Sequence, residues 1–414
     1  GATTVPITVA PARADAERIP TPAGVAIDAC VGCGGCFTGC NYNAKVSLDV
    51  TLLAEARQAG AEIYAGATVL KLERLARCGA GPAWQVTVVH TDEVLRRREP
   101  KPFLLSARRV VLAAGTFGST EILMRSRSDS LHWSPKLGHQ VSANGDLIAA
   151  AYDTRAQANC AALEQIDPRS TDPGERVGPT ITGMIDLRSP PGGGVAPRDD
   201  DLVIQDLAIP APLRRLLEET VTTTAALQRL PEADTSRHGD PRGRADPCAV
   251  NQDAVRRTLT VAIIGHDSAD GVMLFEGKDD GDGDGAIRVR WPSLRHYPPL
   301  LARHRRFESL LRSSIGGQAL PNPLWRPLPD KLEFLLGAQA GPLLTVHPLG
   351  GCPMGDDSRS GVVDDLGRVF DGASPTSTSC HPGLVVLDGA IIPTSLGINP
   401  ALTIASVALR AVTA

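Results

Sequence analysis

No apolar run in this sequence approaches the length that a helix needs to cross a bilayer, and no basic-then-apolar signal segment opens it. Basic residues are nowhere massed on one segment, and the formal net charge is −4, which argues against nucleic acid as the main partner. The nine cysteines are an odd number, four of them within eleven positions, which does not look like a secreted disulfide framework. A cytoplasmic protein is therefore expected. No internal repeat is visible, so no repeat architecture is expected. The chain starts at Gly1 rather than Met, which reads as a processed or truncated start.

What is present is the composition of a soluble globular protein. The 414 residues are 42% hydrophobic and 21% charged, enough for a large core and more in keeping with two domains than one. Residues 1–29, rich in Pro and Ala, read as an extended lead-in. "SLDVTLLAEARQAGAE" predicts a helix with Ser47 as N-cap, Leu52, Leu53 and Ala56 on its apolar face and Gly60 as its stop. "AEIYAGATVLKLERL" and "WQVTVVHTD" alternate as paired strands do. In "RRVVLAAGTFGSTEILMRSR" the apolar run Val110 to Ala114 meets a glycine turn and then a helix, as in an α/β layer.

From about 140 to 340 the pattern changes. Strand-like pieces ("GPTITGMIDLR", "DDLVIQDLAI", "RTLTVAIIGHD", "AIRVRWPS") alternate with polar loops and with helical stretches such as "PLLARHRRFESLLRSS". Residues 188–202 and 231–250 read as loops. After 341 the α/β character returns: "GLVVLDGAIIPTS" is a strand and turn, and "NPALTIASVALRAV" an apolar helix. The expected architecture is α/β plus α+β. One α/β domain, in parts 30–140 and 341–414, carries an inserted antiparallel-sheet domain at 141–340.

Asp388-Gly389 stand at the carboxyl end of the strand in "GLVVLDGAIIP", where a carboxylate commonly meets a ligand; taken alone, the pair reads rather as a simple turn. His347 precedes the glycine turn of "HPLGGCPMGDD", and a lone histidine is more often structural than catalytic. Asn399 precedes Pro400, a residue tolerated at a helix start, so it stands at or beside a helix N-terminus.

Together, "NAKVSLDVTLLAEARQAGAEI", "VVLAAGTFGSTEILMRS", "GPTITGMIDLR", "HPLGGCPMGDDSRSGVVDDLGRVF" and "GLVVLDGAIIPTSLGINPALTIASVALRA" resemble the glucose–methanol–choline (GMC) family of flavin oxidoreductases, in its cholesterol-oxidase-like branch. They run in family order from about residue 30 to the C-terminus. The resemblance implies FAD that takes a hydride from an alcohol carbon. It implies His347 as the histidine that handles the hydroxyl proton and Asn399 as its polar partner. It implies cofactor contacts at Gly115, Thr116, Gly118 and Ser119, at Asp388 and Gly389, and at Asn399, Pro400 and Ala401. The chemistry suits those residue types: hydride leaves most readily from an alkoxide-like carbon, and imidazole accepts a proton near neutral pH. Asn orients a hydroxyl without adding charge.

The family also opens with a strand, a G-x-G-x-x-G turn and an acidic residue about 20 residues on. Nothing in residues 1–414 fits that pattern. The expectation is an incomplete Rossmann-like FAD domain, completed by a second polypeptide or a cleaved N-terminal segment that grips the pyrophosphate. The function expected is oxidation of an alcohol on a bulky apolar molecule such as a sterol or polyketide-like alcohol. The alternative is a non-catalytic or electron-transfer partner subunit.

That alternative rests on "CVGCGGCFTGCNYNAK". Cys30, Cys33, Cys36 and Cys40 have the spacing of bacterial ferredoxin runs, with Asn41 where proline usually follows. An iron–sulfur cluster such as [4Fe–4S], closed by Cys40 or by Cys78, Cys160, Cys248, Cys352 or Cys380, is one reading. Tetrahedral zinc is a second, and a compact loop of reduced thiols a third. "DGDGDG", Asp280 to Gly285, starts like an EF-hand loop but has Trp291 at the twelfth position, so it reads as an acidic hairpin turn. "RHRR", Arg303 to Arg306, reads as a solvated helix face.

Overall fold

The structure, a computed structural model, describes residues 2–10, 18–75, 83–162, 176–188, 201–227, 250–277, 285–292, 303, 306–311, 314–320, 345–374 and 376–414. It divides into two compact units: Gly1–Ile63 with Asp146–Ile264 and Tyr297–Leu344, and Tyr64–Gly145 with Gly265–His296 and Thr345–Ala414. The secondary structure is mixed α/β.

The first unit is built on a six-stranded sheet in the order Thr3–Thr4, Gly183–Asp186, Leu202–Leu207, Leu259–Gly265, Leu147–Tyr152, Gln318–Leu320. Leu147–Tyr152 is antiparallel to both of its neighbours, with Ala151 opposite Leu259 on one side and Ala319 on the other. Its run of small alanines leaves room for side chains from helices to close on the sheet. Val221 of helix Arg214–Leu227 and Val255 of helix Gln252–Arg256 pack with Ala150 and Leu320 in one buried cluster. The shorter helix is held at its start by Asn251, whose side chain accepts from Ala254 N at 3.0 Å.

Three sequence expectations in this unit are corrected. Ser47 opens a short 3-10 turn, Leu48–Val50, without a side-chain cap bond, and the α-helix is the shorter Leu52–Gln58, begun at Thr51. Its supposed core face is open, with Leu52 63% and Leu53 44% exposed. Arg303, taken as part of a solvated face, is fully buried, and a guanidinium is buried only with partners, which Arg303 has. The rest of its helical stretch is described only in part. The loops expected at 188–202 and 231–250 fall largely outside the described residues, as does most of "DGDGDG".

The second unit holds the larger described core. An antiparallel sheet, Ala67–Arg74, Trp84–His90 and Phe103–Ala107, supplies Leu72, Trp84, Val86 and Val88 to it. Strand Val110–Leu112 and helix Gly115–Arg125 follow as the sequence predicts, and the helix buries Ile122 and Leu123 in the same cluster. Val110–Leu112 lies parallel to Cys380–Val386, with Leu384 opposite Val110 and Val386 opposite Leu112; Arg368–Phe370 flanks the latter strand antiparallel. The strand in "AIRVRWPS", Ala286–Arg290, pairs with Val272–Glu276 as a separate two-stranded ribbon, not with the six-stranded sheet. Arg125 holds it there: the guanidinium donates to the Gly285 carbonyl at 2.7 Å and lies 5.1 Å over the Phe275 ring.

Candidate functional site

Two parallel strands that end at the same level bring their following turns side by side. Leu112 leads to Gly115 and Val386 leads to Asp388, and these turns are joined by the Asp388 carboxylate. One oxygen accepts from Gly115 N at 3.0 Å and from Ser119 Oγ at 2.5 Å; the other accepts from Ala390 N at 2.8 Å. Asp388 thus caps two helix starts at once, the 3-10 turn Gly389–Ile391 and the helix Gly115–Arg125. Burial pushes its carboxyl above the usual range, against the lowering pull of those three donors.

The arm that carries His347 runs along this junction. Gly350 N donates to Gly389 O at 3.0 Å, Cys352 N to Ala390 O at 2.9 Å, and Thr116 Oγ1 to Pro348 O at 2.6 Å. The two glycines of "HPLGG" are dictated by close approach. A Cβ on Gly350 would stand 1.9 Å from Gln140 O, and one on Gly351 2.4 Å from Thr120 Oγ1, both at positive φ. Cys352, just beyond, is fully buried and its thiol is pushed up to about 12 by burial, which leaves it inert.

His347 and Asn399, 52 residues apart, meet here. Asn399 Nδ2 lies 3.4 Å from His347 Nε2, and both residues are half-buried. Asn399 ends a loop that enters the helix Ala401–Thr413, whose N-cap is Pro400. Pro400 is buried, and its carbonyl accepts the first helical bond from Ile404 N; Ala401 is exposed. A second imidazole, His266, lies against the same loop. Its ring contacts Ser395 Oγ at 3.3 Å, and a Cβ on Gly397 would come within 2.7 Å of its Nε2.

The FAD implied by the resemblance can be tested against these residues. Gly115 has φ +78, and a Cβ built on it would meet nothing within 4 Å beyond its own neighbours and helix backbone. Ala113, Ala114 and Phe117 are exposed beside it. The Ala113–Gly115 backbone is thus open to a cofactor. The side chains of Thr116, Ser119 and Asp388 do not reach for such a group, because all three are buried and bonded within the chain. Gly389 is likewise filled from within, since a Cβ there would meet Thr116 Oγ1 at 2.8 Å. Gly118 is half-buried, with Ala114 Cβ 2.9 Å from where its own Cβ would be.

The cysteine loop lies in the first unit, and three of its sulfurs meet its own backbone. Cys30 Sγ accepts from Gly32 N, Cys33 Sγ from Gly35 N, both at 3.4 Å, and Cys40 Sγ from Ala44 N at 3.2 Å. Among the described residues no group of three or more His, Cys, Asp or Glu side chains is placed to hold a metal ion. The iron–sulfur and zinc expectations for Cys30, Cys33, Cys36 and Cys40 gain no support from this arrangement. Burial, with the neighbouring cysteines adding to it, raises the Cys30 thiol.

Sequence reasoning missed Asn144, Asp267 and His266. Their signal was slight: Asn144-Gly145 is a pair that favours left-handed backbone, and both residues adopt positive φ.

Comparisons with known proteins agree with the resemblance. Residues 21–144 match the N-terminal GMC oxidoreductase family model and residues 338–408 the C-terminal one. The chain is similar to cholesterol oxidase of Mycobacterium tuberculosis (strain H37Rv), 28% identical over 95% of this chain and 61% of that protein. It is 23% identical to cholesterol oxidase of Acinetobacter baumannii, over 92% of this chain and 60% of that one. It therefore spans about three-fifths of the length of these relatives. Among solved structures, formate oxidase of Aspergillus oryzae RIB40 superposes with a TM-score of 0.51 at 15% identity, covering 84% of this chain and 59% of that one; this likeness concerns fold alone. Among the described residues no helix is long and apolar enough to cross a membrane.

Proposed function

We propose that this chain is the larger part of an FAD-dependent oxidoreductase that oxidises an alcohol carbon on a bulky, largely apolar molecule of the sterol or polyketide-like kind. The observation that carries the reading is the meeting of His347 and Asn399 at 3.4 Å on two separate arms, one of which is bonded through Pro348 to Thr116, next to the open turn at Gly115. The family matches at 21–144 and 338–408 and the two cholesterol oxidase relatives support it.

In this reading His347 accepts the hydroxyl proton and Asn399 orients the hydroxyl and the ring. When bound, FAD supplies the two-electron acceptor for the hydride. Ala113 to Gly115, together with the start of the helix at Ala401, would lie along it. Thr116, Ser119 and Asp388 serve it indirectly, by fixing the turn and the His347 arm. In domain terms, the flavin part is assigned to the second unit and the substrate part to the first.

The adenylate half of FAD is assigned to polypeptide outside residues 1–414, on the same gene product or another. Two features support a covering segment. Among the described residues Val110–Leu112 is the last strand of its sheet, with Val111 57% exposed. The helix Ala401–Thr413 buries none of its residues and leaves Leu402 79% and Val412 70% exposed.

The test is anaerobic reduction of the flavin-loaded protein by a panel of hydroxysteroids and smaller alcohols, with His347→Ala alongside. Bleaching by a hydroxysteroid that is lost in a folded, flavin-bearing His347→Ala protein is the expected result. Unimpaired reduction in that variant would remove the assignment.

A further inference from the structure

The pair at the centre of the proposed function sits on two arms that share no covalent proximity, so something must set their spacing. We propose that Asn144 is the positioning residue that does so, holding Asn399 against His347; this rests on the reading of those two residues given above.

Asn144 is fully buried, with φ +54, a conformation that Asn tolerates better than most residues. Its side-chain oxygen accepts from Leu396 N at 2.8 Å and Gly397 N at 3.2 Å, and its amide nitrogen donates to Ile398 O at 2.8 Å. One amide thus grips three consecutive residues, the last of them adjacent to Asn399. The flanking backbone grips the other arm. Ser142 and Leu349 exchange N–H to carbonyl bonds at 3.0 and 2.9 Å. Thr345 Oγ1 donates to Ala143 O at 3.0 Å and accepts from His347 N at 3.0 Å. Residues 142–144 therefore fasten both sides of the pair.

The clamp is itself braced. Asp267 accepts from Ser142 Oγ and Ala143 N at 2.8 Å and from Gly145 N at 3.1 Å, while Ser142 Oγ accepts from Asn144 N at 2.9 Å. Charge-assisted bonds of this kind fix a turn firmly. A general base misplaced by about 1 Å can cost about 100-fold in rate, so a clamp two bonds from the chemistry has consequences there.

The Asn399 contact also falls on a ring nitrogen of His347. Moving the Asn399 amide therefore changes the surroundings of the Nε2 that it lies against. That provides a readout independent of turnover: the ring nitrogen resonances of His347 in 15N-histidine-labelled full-length protein, identified by their loss in His347→Gln. Asn144→Gly removes the amide without backbone strain. It is expected to shift the Nε2 signal as Asn399→Ala does and to slow flavin reduction by about 10- to 100-fold. Asn144→Asp, which keeps the acceptor for Leu396 and Gly397 but turns an oxygen toward the Ile398 carbonyl, is expected to shift it the same way by less and to recover part of the rate. If the signal moves in Asn399→Ala but stays in place in a folded Asn144→Gly protein, the clamp is wrong and the pair stands. If it moves in neither, the pair itself falls, and the clamp with it. Should Asn144→Gly fail to fold, an unmoved signal in folded Asn144→Asp overturns the proposal by itself.

Discussion

The cysteine loop and the His347–Asn399 pair invite opposite mistakes. In the loop, four like residues within eleven positions suggest a ligand set, yet the sulfurs accept from the N–H groups of Gly32, Gly35 and Ala44 and form no metal-holding group among the described residues. In the pair, two polar residues 52 positions apart carry no spacing signal, yet they meet at 3.4 Å. The difference is what fixes each side chain. A short glycine-rich loop can spend its side chains on its own backbone, since Gly32, Gly34 and Gly39 all take positive φ and curl it. Distant arms meet only where a third element fastens both, which here is Ser142–Asn144. Proximity in sequence is a poor guide to shared chemistry, and shared anchoring a better one.

The largest effect that would sharpen this contrast is at His347. His347→Ala is expected to lower turnover by about two to four orders of magnitude with flavin retained, as loss of a general base does. A drop below tenfold in steady-state rate would place the residue with the structural histidines instead. Next comes Gly397→Ala. Its Cβ would fall 2.7 Å from His266 Nε2 at φ +66, so the loop before Asn399 must shift or the imidazole must leave. A loss of about 1–3 kcal/mol in stability is expected, together with a fall in turnover. In His266→Ala the same glycine change should cost less, and equal costs in both backgrounds would show that the collision does not govern the loop.

Much of the second unit was legible because its signals are local. The run Val110 to Ala114, the glycine turn and the helix after it were readable from apolar continuity alone, as were the paired strands Ala67–Arg74 and Trp84–His90. Which way polar side chains turn was not legible. Thr116, Ser119 and Asp388 lie where a cofactor contact was expected, but turn inward to bond Pro348, the Ala114 and Gly115 amides and one another. Nor could the sequence reveal that the amphipathic "TLLAEARQ" stretch leaves its leucines open, since a face is buried only where another element arrives. Asn144 was hidden for the same reason: its three partners lie about 250 residues downstream.

A third, smaller effect concerns His381, a histidine of the same unit with no part in the proposed chemistry. It is buried between Trp84 and Trp133, with its Nε2 bonded to the His132 carbonyl. Burial holds its pKa below the ordinary 6.5, helped by Arg74 and His132 and opposed by the carbonyl bond and Asp371. The unfolded chain therefore binds the proton more readily than the folded one. Stability from this site is complete above the unfolded value and declines as pH falls through it toward the folded pKa. A melting temperature that drops between about pH 7.5 and about pH 5.5, with a shallower drop in His381→Gln, is expected. Identical slopes in the two proteins would assign the effect elsewhere.

The smallest effect is expected in the loop, and it could break the comparison outright. Cys33 is half-buried, and its sulfur serves as an acceptor for Gly35 N, a task that a serine oxygen can also perform. The glycines do the shaping: a Cβ on Gly34 would stand 2.8 Å from Val177 Cγ1, so the loop's path depends on that residue more than on any thiol. Cys33→Ser should therefore change stability by about 1 kcal/mol or less, whereas Gly34→Ala should cost more. Anaerobically purified protein should carry neither iron with acid-labile sulfide nor zinc in proportion to the chain. Iron and sulfide near cluster stoichiometry, abolished by Cys33→Ser, would mean that the four sulfurs rearrange around a cluster. The loop would then have chemistry of its own, and the rule drawn from shared anchoring would fail at the place where sequence spacing is most suggestive.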